Sequence, residues 1–222
     1  MSVRIKLHSS KTNLENILSI KKWESTPSIL QQTASNATIG SGTIVAATPA
    51  LLPSTQTMNL SRDLDGFFEN LVSAFDILAQ VVNLLYFAPP KNADEITFHN
   101  IVDELRDAGK QNESITTHFS RIRRRSWYRG LKSFRNCAIH NKSIQFRVQT
   151  KPSSFEPLQE YSPSHDVKAI LLPDNPRSNQ PIYKRRSVQS YCVKMFSKAL
   201  DSIDLAFSLM ENRIRTANRV PI

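Results

Sequence analysis

Two long stretches without proline constrain the fold of this chain more than any other feature of its sequence. One runs from Asn59 to the Pro89–Pro90 pair, and the other runs from Arg186 to Pro221. In both stretches apolar residues recur at steps of three and four, which is the spacing of one helix face. Ser61 is the predicted N-cap of the first helix. The first stripe comprises Leu64, Phe68, Leu71, Phe75, Leu78, Val82 and Leu85, and the second comprises Val188, Cys192, Met195, Ala199, Ile203, Ala206, Met210 and Ile214.

Shorter helices are predicted between the two long ones. One begins after Asn92, which is typical of a cap, and ends before Gly109, a residue suited to the turn that follows a helix. Residues 113–141 carry a further helical pattern. A bend or a break is predicted between Arg125 and Gly130, because glycine weakens a helix interior.

These elements predict an all-α, up-down helical bundle of four to five helices. Residues 1–58 are interpreted as an irregular N-terminal extension, in which the alternation of Val3, Ile5 and Leu7 permits a short strand. Residues 59–222 form the predicted helical domain. Residues 143–185 are rich in proline and serine and are interpreted as an insertion. Alternating apolar residues at 144–148 predict a strand there, and residues 169–172 are its expected partner in a small β-hairpin.

Positive charge is concentrated in two segments of the chain. The formal net charge is +10 over 222 residues. An ordinary solvated surface explains such a balance, but dense local charge also attracts polyanions such as nucleic acids. The first segment holds Arg121, Arg123, Arg124, Arg125, Arg129, Lys132, Arg135 and Lys142, and the second holds Lys184, Arg185 and Arg186.

Several classes of protein do not fit this composition. Two cysteines, Cys137 and Cys192, are too few for a disulfide framework or a zinc site, and both lie on predicted helical faces as buried thiols. No uninterrupted apolar run reaches the roughly 18 residues of a membrane span. The first six residues contain no apolar signal core. We therefore expect a soluble cytoplasmic protein without a metal or a cofactor.

The run from Phe134 to Asn141, FRNCAIHN, contains an arginine, then an asparagine, and a histidine four residues after that asparagine. Arg135, Asn136 and His140 in this arrangement resemble the signature of the HEPN superfamily. The resemblance extends loosely over residues 60–217, through a long leading helix, a motif late in a later helix and a long closing helix. Residues 1–58 and 143–185 lie outside it.

The resemblance implies endoribonuclease activity that does not need a metal and that leaves a 2′,3′-cyclic phosphate. In that chemistry the imidazole of His140 serves as general acid or base, because it titrates near neutral pH. Arg135 holds the phosphate through two N–H groups. Asn136 orients one of them or donates to a phosphate oxygen.

A single straight helix does not direct Arg135 and His140 to one phosphate. Five residues rotate by about 140° beyond one full turn, which places the two side chains on different flanks. The helix either unwinds near His140 or faces a second copy of itself. Family members pair their motifs across a twofold axis, and symmetric dimers are the commonest oligomers. We therefore expect a homodimer with a composite site.

The surroundings of the motif supply candidate RNA contacts. These are the basic side chains of Arg121, Arg123, Arg124, Arg125, Arg129, Lys132 and Lys142. Trp127 and Tyr128 are candidates for stacking on bases, with helix packing as the alternative. Asp76 is a candidate to face the motif helix and polarise His140, with a solvated carboxylate as the alternative.

Two other functions remain open at this stage. The first is a HEPN module without catalytic activity that binds RNA or a protein, and the second is a helical interaction protein in which the spacing of Arg135 and His140 is accidental. One subgroup of the family has tyrosine two residues after the histidine, but Lys142 stands there. Regulation through such a tyrosine is therefore not implied. By analogy with the family alone, a neutralising antitoxin partner and a role in defence are implied.

Overall fold

The computed structural model of the protein describes residues 2–24, 55–139, 144, 146–150, 164–176, 182 and 186–217. These residues form a bundle of helices with a small antiparallel sheet, as the helical periods predict. The helices are α1 (Val3–Ser19), α2 (Thr55–Tyr86), α3 (Ile101–Asp107), α4 (Ser114–Arg124), α5 (Ser126–Ile139) and α6 (Val188–Ala217), with a 3₁₀ turn at Ala93–Glu95.

The central element is α2, which contacts α1, α3, α5 and α6. Its predicted stripe is buried from Leu64 to Val82, although Leu85 is 37% exposed. The helix begins at Thr55, so the prediction of Ser61 as its N-cap is wrong. Leu60 is fully buried, and its contacts with the core favour helix before Ser61.

By length and composition alone, α2 is long and apolar enough to cross a membrane, although no such helix was expected from the sequence. Half of its most apolar window is buried inside the protein. This is weak evidence for a span, because a helix in the centre of a bundle passes the same test.

The N-terminal residues belong to the bundle, so the strand predicted at Val3, Ile5 and Leu7 is wrong. Val3, Leu14 and Ile17 of α1 are buried against the core. On α1, Ser10 donates a hydrogen bond to the Phe67 carbonyl oxygen, at 3.3 Å. A three-residue alternation fits either a strand or a helix, whereas buried positions spread over fifteen residues at helical spacing fit only a helix.

The two predicted interruptions lie near their expected places. After α3, Gly109 adopts φ +73°. Its N–H donates to the carbonyl of Arg106 and the N–H of Lys110 to that of Leu105, which is the Schellman arrangement. The helical region after residue 113 breaks at Arg125, whose extended backbone separates α4 from α5. Gly130 lies inside α5 and does not break it.

The sheet is centred on β3 (Ser164–Leu172), with β1 (Lys22–Glu24), β2 (Arg147–Thr150) and β4 (Arg186–Ser187) paired antiparallel to it. The predicted hairpin pairing is confirmed, with Val148 opposite Ile170. However, Ile170 and Leu172 are fully buried. One face of β3 is therefore part of the core, because alternate residues of a strand lie on the same face.

Gly130 is needed because the side chain of Tyr191, on α6, reaches the surface of α5 at this position. A Cβ at this position would lie 2.7 Å from the hydroxyl oxygen of Tyr191, whose ring packs against Phe134 at 5.6 Å between centroids. Alanine in a helix interior normally stabilises by about 1 kcal/mol relative to glycine. Here we expect Gly130→Ala to lower the free energy of unfolding by roughly 1–3 kcal/mol, as overpacking does.

The matched control for this prediction is Tyr191→Phe, which removes only the hydroxyl group. In that background we expect Gly130→Ala to be close to neutral or stabilising when unfolding in urea is measured. Equal losses in both backgrounds would show that the Tyr191 hydroxyl is not what excludes a side chain from position 130.

Candidate functional site

The motif helix α5 lies antiparallel to α2, and aromatic rings fix the register between them. The ring of Phe134 stacks on that of Phe68, with 4.8 Å between centroids and 17° between planes. Towards the other end of α5, the ring of Tyr128 meets that of Phe75 at 5.3 Å. The end of α5 therefore lies beside the first half of α2, and the beginning of α5 lies beside the second half.

Arg135 follows the buried Phe134 and is itself half-buried. Its Nε is fully buried and has no hydrogen-bond partner in the part of the chain that the structure describes. Buried donors are nearly always paired, because an unpaired one loses its bond to water. Among the described residues, one N–H group of the Arg135 guanidinium is therefore without an acceptor.

Tyr128 lies about two turns before Arg135 on α5 and is only 3% exposed. Burial raises the pKa of its hydroxyl, the charge of Asp76 raises it further and the charge of Arg135 opposes both. The ring packs against those of Phe75 and Phe98. The prediction that Tyr128 stacks on a base does not fit this burial, since its ring is enclosed by core side chains.

Asp76 does face α5, but at the beginning of that helix. Its Oδ1 accepts a hydrogen bond from the backbone N–H of Phe98 at 2.9 Å, and its charge acts on Tyr128. From Tyr128 to Ile139, the last described residue of α5, the helix advances by about 16 Å. The geometry therefore gives Asp76 the role of anchoring the segment before α3, and it is too distant from that end of α5 to polarise a group there.

A different carboxylate, that of Asp65, lies near the other end of α5. Asp65 precedes Asp76 by eleven residues, about three turns, so both lie on one side of α2. Its Oδ1 accepts a hydrogen bond from the N–H of Ile144 at 3.2 Å. Burial raises the pKa of Asp65, the bond from Ile144 lowers it and the charge of Glu69 raises it. Asp65 was not among the candidate site residues drawn from the sequence, although its spacing from Asp76 could have identified it.

The remaining motif residues divide into described and undescribed ones. Asn136 and Cys137 are half-buried. The thiol of Cys137 donates to the carbonyl oxygen of Pro176 at 3.4 Å, so the loop after β3 lies against α5. His140 and Lys142 lie outside the described residues.

Arg186 is a second cation beside the motif, and it was not assigned to the site from the sequence. Its guanidinium carbon lies 5.8 Å from the centroid of Phe134 and 5.3 Å from that of Tyr191. Cations over aromatic faces are attracted by the ring quadrupole. The fold thus brings Arg186 next to α5, which only the tertiary structure could show.

The basic residues before the motif have different roles in the fold. Arg123 donates to both oxygens of Asp103, at 2.6 and 3.0 Å, and to the carbonyl of His99 at 2.8 Å. It therefore anchors α4 to α3. Burial lowers the pKa of His99, and the charges of Lys132 and Arg123 lower it further.

The other candidate RNA contacts before the motif differ in their exposure. Trp127 is half-buried and packs against the core. The exposed residues are Arg121, Arg124, Arg125 and Arg129.

Within the described residues, no group of three or more histidine, cysteine, aspartate or glutamate side chains could hold a metal ion. Comparisons of this chain with protein-family models, with curated proteins and with solved structures find no match.

The raised pKa of Asp65 predicts a dependence of stability on pH. The unfolded chain releases the Asp65 proton at a lower pH than the folded protein does. The stability that this group contributes is therefore present below its unfolded pKa of 3.8 and is lost as the pH rises through the raised folded value. Asp65→Asn keeps an oxygen acceptor but has no charge. We expect its free energy of unfolding, relative to the original protein, to increase between about pH 4 and pH 7.

Asp65→Ala is the control, because it also removes the acceptor of the Ile144 N–H. We expect it to cost about 1–2 kcal/mol, the usual effect of leaving a buried donor unpaired. Urea unfolding across that pH range measures both variants. A gain from Asp65→Asn that stays constant with pH would contradict the raised pKa.

Proposed function

We propose that this chain is a metal-independent endoribonuclease of HEPN type that cleaves RNA to a 2′,3′-cyclic phosphate. The observation that carries the proposal is the guanidinium of Arg135, held half-buried beside Phe134 with its buried Nε unpaired among the described residues. An arginine in this state is prepared to bind an anion, because much of its desolvation has already occurred. Asn136 and His140 follow it at the spacing of the family signature.

The proposed chemistry divides the roles between these residues. The 2′-hydroxyl of the RNA attacks the adjacent phosphorus, and the bond to the 5′-oxygen of the next nucleotide breaks. His140 transfers a proton to or from one of these oxygens, since imidazole exchanges protons near neutral pH. Arg135 binds the phosphate oxygens as their negative charge grows, and Asn136 donates a further hydrogen bond.

The proposed active form is a homodimer in which two motifs face each other. The geometry of one straight helix separates Arg135 and His140 by about 140° of rotation, so a second copy completes the site. Ile139, beside the motif, is 44% exposed, and such an apolar side chain suits an interface. RNA is the proposed substrate, an antitoxin protein is the proposed regulatory partner, and the cytoplasm is the proposed location.

A HEPN module that binds RNA without cleaving it is the second candidate. The exposed arginines at positions 121, 124 and 125 favour it, because they attract RNA whether or not the motif is catalytic. Cleavage distinguishes the two candidates.

Removal of the general acid–base group tests the enzyme directly. We expect the original protein to cleave mixed RNA in the presence of EDTA, and His140→Ala to lose about 10²–10⁴-fold in rate. Arg135→Lys keeps the charge but not the two parallel N–H groups, so we expect it to lose activity as well. Gel analysis of the products and detection of cyclic phosphate ends measure the result. Uncleaved RNA with the original protein, together with binding that weakens in salt, would favour the module.

A mixture of inactive variants tests the composite site. In the proposed dimer each site takes Arg135 from one chain and His140 from the other. A mixed dimer of one Arg135→Ala chain and one His140→Ala chain therefore has one site with both residues intact and one site with neither. After equal amounts are unfolded and refolded together, we expect about a quarter of the original activity, because half of the dimers are mixed and each has one good site. Each variant refolded alone is the control. A mixture as inactive as its components would contradict a site shared in this way.

A further inference from the structure

A separate cavity of about 650 Å³ lies between α3 and α4, away from Arg135. Its walls include four arginines, Arg106, Arg121, Arg124 and Arg125, together with hydroxyl and amide side chains. Among the described residues that line it there is neither a carboxylate nor an aromatic ring. The cavity therefore offers hydrogen-bond donors and positive charge, but no surface on which a base can stack.

Arg106 is the fixed member of this group. One of its terminal nitrogens donates to Ser120 Oγ at 3.0 Å, and the other donates to Asp103 Oδ1 at 3.3 Å. The Asp103 carboxylate is shared between two arginines, because it also forms an ion pair with Arg123 of α4. A guanidinium has five N–H groups, so Arg106 keeps donors for a ligand while its position is set by the protein.

The other three guanidiniums are not neutralised within the described part of the chain. Arg121, Arg124 and Arg125 are exposed, and none of them forms an ion pair there. Arg121 and Arg124 lie one turn apart on α4 and Arg125 ends that helix, so their charges repel one another. A ligand with several negative charges relieves this repulsion, whereas a singly charged ion leaves most of it.

We propose that the cavity lined by Arg106, Arg121, Arg124 and Arg125 binds two or more phosphate groups of one ligand. A volume of about 650 Å³ is within the usual range of small-ligand sites and is more than one phosphate fills. The phosphates belong either to a free polyphosphate or to the backbone of RNA, since both present the same oxygens. The site does not include Arg135 or His140 and so does not depend on RNA cleavage, although Arg121, Arg124 and Arg125 are also the arginines that favour the RNA-binding module.

Two probes distinguish the sources with the full-length protein. The first is inorganic tripolyphosphate, and the second is a twelve-nucleotide RNA with 2′-O-methyl groups throughout. The methyl groups remove the attacking hydroxyl, so binding is measured whether or not the protein cleaves RNA. The test variant is Arg121→Gln/Arg124→Gln. The control is Arg4→Gln/Lys194→Gln, which removes the same charge from exposed positions on α1 and α6.

We expect the test variant to bind at least one probe about tenfold or more weakly, because two charge-assisted contacts are lost, while the control changes little. Loss for tripolyphosphate identifies a free polyphosphate site, and loss for RNA alone identifies the RNA backbone. With RNA, the slope of log affinity against log salt should also fall by about 1.4, or roughly 0.7 for each lost phosphate contact.

Isothermal titration at several salt concentrations gives these quantities, and thermal unfolding shows whether each variant is folded. Arg125→Gln, a single change at the exposed end of α4, replaces the double variant if that one does not fold. Equal losses in the test and control variants would overturn the proposal, because they would show that the total charge of the protein attracts the probes. Failure of the original protein to bind either probe would overturn it as well.

Discussion

The antiparallel contact between α2 and α5 determines the arrangement of everything near the motif. It rests on aromatic pairs, Phe68 with Phe134 and Phe75 with Tyr128, whose rings are buried. Such pairs stabilise by about 0.5–1.5 kcal/mol beyond their buried area and also have preferred geometries. They therefore fix the depth and the register of α5 as well as its stability. Arg135 follows the fully buried Phe134 on this helix and is itself half-buried.

The same contact gives Asp65 and Asp76, two of the four carboxylates of α2, different environments. Asp76 lies at the level of Tyr128 and accepts the Phe98 N–H, whereas Asp65 lies towards the opposite end and accepts the Ile144 N–H. Each carboxylate thus holds the backbone of a buried residue that lies outside the helices, Phe98 for Asp76 and Ile144 for Asp65. A carboxylate accepting a backbone N–H is stabilised in its charged form, and burial opposes that effect. At Asp65 burial is the larger effect, so its pKa is raised.

Properties that depend on one helix at a time could be predicted from the sequence, and properties that depend on pairs of elements could not. The periods predicted the stripes of α2 and α6, and the break before α5 was also expected. The start of α2 was placed too late, because Leu60 is buried by contacts that a cap rule does not include. Tyr128 was interpreted as a base-stacking residue because it neighbours arginines in sequence. Its environment is set by Phe75 and Phe98, which are distant in sequence.

Local charge density in the sequence likewise did not distinguish arginines that form contacts within the protein from arginines whose charge is free to bind a ligand. Arg123 is committed to Asp103 and Arg186 to the rings of Phe134 and Tyr191, although both belong to segments that look uniformly basic. Residues next to one another on a helix point about 100° apart, so neighbours in a basic run reach different partners. Arg121 and Arg124 lie on the side of α4 that lines the cavity, while Arg123 turns towards His99. Among the described residues, fewer cations are therefore free than the sequence suggests, but Arg121, Arg124 and Arg125 lie together on the wall of one cavity between α3 and α4.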